Sequence, residues 1–129
     1  QRVHAALTVR FALSILTLML FTWTASAAPA PVEARKIEQL IAAVERLGNA
    51  KFVRNGTAYD AAKAAEHLRL KLREAGDRVA SAEDFIVLCG SRSSVSGKPY
   101  EIVFDDGKRM TSEAFLRAKL KELQSSYDH

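Results

Sequence analysis

Apolar residues recur along this chain in two periods, and the switches between them lay out its elements. Ile37, Leu40, Ile41, Val44 and Leu47 form one stripe at helical spacing. They predict a helix from about Val32 to Leu47, with Glu38, Gln39, Glu45 and Arg46 solvated and Gly48 just beyond its end. A second stripe joins Ala61, Ala64, Ala65, Leu68, Leu72 and Ala75, with Asp60 as cap and Gly76 as stop. His67 to Leu72 alternates as a strand would, but the alanine-rich lead-in and the cap favour helix. Leu70 then falls on the far side. A third, shorter helix is expected from Ser81, with Asp84 where a capping box places its acid. Phe85, Ile86 and Cys89 face inward there, and Gly90 is expected to stop it. Thr111 or Ser112 should cap a fourth helix, whose stripe is Phe115, Leu116, Leu120 and Leu123.

The period of two appears twice. Lys51 to Tyr59 reads as a hairpin, because Asn55-Gly56 suits a type I′ turn, in which both central residues need positive φ. That turn sets Phe52 opposite Tyr59 and Val53 opposite Ala58. Tyr100, Ile102 and Phe104 alternate with Glu101, Val103 and Asp105, and Asp105-Asp106-Gly107 suits a three-residue turn that places Ile102 opposite Met110. A two-residue turn would pair Met110 with Val103, but only the first choice buries both partners. The expected fold class is α+β: about four helices with two short β-hairpins, in one small domain over 35–124. Whether the hairpins share a sheet cannot be read from these patterns.

The start of the chain follows another logic. Arg2 and Arg10 precede an apolar run from Phe11 to Trp23, and Ala25-Ser26-Ala27 follows with small residues at the two outer positions. That order is the layout of a secretory signal peptide, expected over 1–27, with a mobile linker over 28–34. The apolar run is shorter than the roughly 20 residues of a spanning helix; the alternative is an uncleaved anchor. Cleavage removes Arg2 and Arg10 and no acid, so the net charge falls from +4 to +2. No membrane span is then expected in the mature protein. So balanced a charge argues against nucleic-acid binding, which calls for a basic stripe. The tail 125–129 is expected to fray.

Certain segments add a likeness. Phe52-Val53-Arg54-Asn55-Gly56, His67-Leu68-Arg69-Leu70-Lys71-Leu72, Ala82-Glu83-Asp84-Phe85-Ile86 and Ser93-Ser94-Val95-Ser96-Gly97-Lys98-Pro99-Tyr100 stand here in order. With them the chain resembles the YfeK-like family, small exported bacterial proteins with a domain of unknown function. The likeness implies export, to the periplasm of a Gram-negative bacterium. It brings no activity, ligand or catalytic residue.

Candidate chemistry centres on Ser91 to Tyr100, the longest run without an apolar period, read as a surface loop. Arg92, Ser93, Ser94, Ser96, Gly97 and Lys98 are the candidate binding residues: hydroxyls, a close-approach glycine and two cations suit an anionic group. The plainer reading is that the serines shape the turn. A nucleotide P-loop is rejected, since Arg92 stands where its first glycine belongs and Pro99 where its hydroxyl belongs. Cys89 is the sole cysteine, so no intramolecular disulfide can form, and it is expected to be buried. Cys89 with His67 as nucleophile and base lacks an orienting third group. No metal cluster or cofactor motif is present. The expected role is a non-catalytic binding module whose partner is an envelope protein or an anionic ligand. The alternatives are a small envelope hydrolase or transferase near the loop, or a homodimer through Leu70.

Overall fold

A computed structural model describes residues 28–129. The expected leader, 1–27, lies outside the described residues. Among the described residues, no helix is long and apolar enough to cross a membrane.

Helix α1 spans Pro31–Glu45 and begins within one residue of the expected Val32. Proline at its first position has a preset φ and no N–H to leave unsatisfied. Residues 31–34, expected to be linker, are therefore helix. Glu33 fastens this end, accepting from the Ala82 amide at 3.1 Å. The other end stops at Glu45, two residues short of expectation, and Leu47 packs on the core from the turn that follows. Helix α2 spans Ala61–Ala75; Asp60 accepts from the Lys63 amide at 2.8 Å, and Gly76 closes it at φ 53°.

Strands β1 (Lys51–Arg54), β2 (Thr57–Tyr59), β3 (Glu101–Val103) and β4 (Arg109–Thr111) make one antiparallel sheet in the order β2-β1-β3-β4. Both hairpin registers match expectation, with Phe52 opposite Tyr59 and Ile102 opposite Met110. Asn55 and Gly56 take φ 51° and 78°, and Gly107 takes 81°. The β1–β3 pairing sets Phe52 opposite Ile102, so Tyr59, Phe52, Ile102 and Met110 form one row across all four strands. This face meets the helices; the other carries Lys51, Glu101 and Arg109, as expected of a sheet covered on one side.

Helix α3 is only Ala82–Phe85, and the chain then winds as a π-helix over Ile86–Gly90. Ser81 caps it as expected, accepting from the Asp84 amide. The Asp84 carboxylate reaches the Ala80 amide instead of the cap residue's own, one position off the standard box. Gly90 does not stop the helix by a left-handed φ. It is buried, and a Cβ built on it would stand 2.3 Å from Leu116 Cδ1. Its role is to let the π-helix approach the last helix, α4. The end is closed by Ser91, whose hydroxyl donates to the Ile86 carbonyl at 2.6 Å.

Helix α4 runs Ser112–Tyr127, with Thr111 capping the Ala114 amide. It continues through most of the tail expected to fray. Tyr127 lies near Gln39, and its ring is 5.7 Å from the Lys36 ammonium, so α1 gives the last turn a surface to rest on. Arg117 joins α4 to α3 through Glu83. The core gathers Ile37, Leu40, Ile41 and Val44 of α1 with Phe85, Ile86, Ile102 and Leu116, all essentially without exposure.

Candidate functional site

The serine-rich run folds back on itself. Tyr100 N–H donates to the Ser91 carbonyl, Ser93 N–H to Lys98 and Gly97 N–H to Ser93, all near 3.0 Å, and Arg92 pairs with Pro99 in an isolated bridge. Gly97 supplies the positive φ of 71° that brings the chain round. Of the six candidate residues, Arg92, Ser94, Ser96, Gly97 and Lys98 are exposed and Ser93 is buried.

The Ser93 hydroxyl is turned inward. Its oxygen accepts from the Val95 and Ser96 amides at 3.3 and 3.4 Å and from Asn55 Nδ2 at 3.1 Å. Ser96 donates to Asn55 Oδ1 and accepts from the Lys98 amide at 3.2 Å. Two of the candidate serines thus shape the loop, as the plainer reading holds. Asn55 does double duty: it turns the first hairpin, and its side-chain amide clamps the loop from both sides. What remains outward is a tip with Val95 at 86% exposure, flanked by Ser94, Arg92 and Lys98. Among the described residues, neither cation has a carboxylate within 4.0 Å.

Beside the loop lies a pocket that the sequence patterns did not single out. Its walls come from the helix-facing side of the sheet (Phe52, Arg54, Tyr59), from Tyr100 at the end of the loop, and from Ala64, His67, Leu68 and Lys71 of α2. The helix residues fall at i, i+3, i+4 and i+7, so they share one face. Lys71 Nζ donates to Tyr100 Oη at 3.0 Å and to the Arg92 carbonyl at 2.9 Å, with the Tyr100 ring centre 4.9 Å away. That ammonium therefore ties pocket to loop. The His67 ring meets Tyr59 edge to face at 4.9 Å. Burial lowers the His67 pKa, helped by Arg54 and Lys63 and opposed by Glu66, so neutral imidazole is favoured. The pocket volume is about 40 Å³. That holds roughly three waters, far below the several hundred Å³ of a nucleotide or drug site.

The chain matches the family model DUF5329, described as a family of unknown function, over residues 31–124. It belongs to that family. The uncharacterized protein YfeK of Salmonella typhimurium is 41% identical to it over 68 residues, which are 53% of this chain and 57% of that protein. The chain therefore spans little more than half the length of this curated relative. No solved structure matches it. Neither the family nor the relative brings an activity or a ligand with it.

Cys89 has no exposure, and burial pushes its thiol pKa up despite Lys71 and Arg78 nearby, the reverse of an activated nucleophile. His67 faces Tyr59 across the pocket, and no hydrogen bond joins it to Cys89 among the described residues. Leu70, the proposed dimer contact, is exposed at 44%. No group of three or more His, Cys, Asp or Glu among the described residues could hold a metal.

Proposed function

We propose that this protein is an exported, non-catalytic binding module of the bacterial envelope, and that its serine-rich loop is the contact surface. The observation that carries this is the loop tip. Val95 is the most exposed large apolar side chain among the described residues, set between two cations that have no acid partner. The clamp through Asn55 holds this tip without using its outward groups, so little conformational entropy is lost when a partner docks. Periplasmic location is supported by the basic, apolar, small-residue order of 1–27.

The test has two arms. Intact mass of the protein recovered from the periplasmic fraction should begin at Ala28; full-length chain held in the membrane would refute export. The Arg92→Ala, Lys98→Ala double variant should melt like the wild type and lose its envelope partner, while wild-type capture weakens as salt rises. A variant that keeps its stability and its partner would remove the loop from consideration. The second reading, a small hydrolase or transferase, is favoured only by the convergence of His67, Lys71 and Tyr100 on one pocket.

A further inference from the structure

We infer that the pocket between α2 and the sheet binds the carboxylate end of a peptide chain, taking the terminal residue's short apolar side chain between Phe52 and Leu68 and its carboxylate between Arg54 and Lys71. The site uses none of the loop's exposed side chains, so it stands whether or not the loop is the contact surface.

Four observations meet here. The interior is apolar, and a volume of about 40 Å³, room for roughly three water-sized groups, suits a short side chain such as that of valine. Arg54 is half-buried at the rim, and its guanidinium makes no hydrogen bond and no ion pair among the described residues. A fork of five donors with no acceptor is the arrangement that a carboxylate satisfies with two parallel bonds. Lys71 uses two of its three donors on Tyr100 and Arg92, which fixes the ammonium and leaves one donor over. No acid lines the pocket: Glu66, on α2, is held by Lys63 at 3.2 Å.

The choice of a chain end follows from distance within the ligand. A terminal residue hangs its carboxylate and its side chain from one Cα, so a single residue reaches the cations and the apolar floor together. Phosphate would satisfy the cations and leave the floor wet. An internal acidic residue spends its own side chain on the cations and needs a neighbour to fill the floor.

The protein as purified from cells would be titrated with acetyl-glycyl-glycyl-valine carrying a free carboxylate, and with its C-terminal amide. Backbone and side-chain NMR shifts supply the readout. Saturable shifts should centre on Tyr59, His67, Lys71 and Tyr100. The amide should bind at least about tenfold more weakly, as should the acid to Arg54→Gln, since one charge-assisted contact is lost. The Arg92→Ala, Lys98→Ala variant should bind the acid as the wild type does. Equal binding of acid and amide would overturn the inference, as would shifts lying elsewhere. Saturation of the same residues by inorganic phosphate at equal affinity would reduce the site to a plain anion site and also overturn it. Should Arg54→Gln fail to fold, the acid-to-amide comparison on the wild type decides alone.

Discussion

Replacing Gly90 by alanine tests the packing on which the π-helix depends. The added Cβ would lie 2.3 Å from Leu116 Cδ1, well inside van der Waals contact. Leu116 has no exposure, so its methyl group has no solvent to turn into. Overpacking of this kind costs roughly 1–3 kcal/mol. Alanine returns up to about 1 kcal/mol through its better helical propensity. The net loss should be roughly 1–2 kcal/mol, or a fall in Tm of about 5–15 °C for a domain this small. The decisive measurement is a double-mutant cycle with Leu116→Ala, read by thermal and urea melts. Leu116→Ala alone should cost about 2–5 kcal/mol. In that background Gly90→Ala should cost nothing or stabilise slightly, because the clashing methyl group is gone. If Gly90→Ala costs the same with or without the Leu116 side chain, the contact is not what selects glycine, and a backbone requirement must be sought instead.

Three further outcomes are expected. Asn55→Ala should lose the clamp on Ser93 and Ser96 and strain the turn at φ 51°, costing roughly 1–3 kcal/mol; Asn55→Gly should relieve the strain only, so hydrogen exchange at the Ser96 and Gly97 amides should speed up in both. Because the folded state lowers the His67 pKa, the unfolded chain binds more protons below its ordinary value near 6.5; stability should be complete above that value, fall as pH drops through the folded pKa, and lose this dependence in His67→Gln, with an unchanged pH profile counting against the pocket environment described. Cys89 should react with thiol reagents only as fast as the native chain opens, since it is buried and its thiol pKa is raised; rapid labelling under native conditions would contradict that burial.

The local devices were legible because each is decided within a few residues. Asp60 and the Lys63 amide are one turn apart, Asn55-Gly56 sets its own register, and the α1 and α2 stripes need only helical spacing to be seen. Tertiary structure decided everything that needs partners far along the chain. The pairing of Phe52 with Ile102 joins the two hairpins into one sheet, and no short-range signal chooses it over separate hairpins. Ser93 reads as one more exposed hydroxyl until Asn55, 38 residues away, is placed against it. Gly90 reads as a helix stop until Leu116 is brought to its Cα. The pocket is the clearest case: Arg54, Lys71 and Tyr100 belong to a strand, a helix and a loop end, and each alone is an ordinary amphipathic side chain. They converge only when the sheet is laid across α2, because burying the row from Tyr59 to Met110 fixes where every residue at the end of that face must stand.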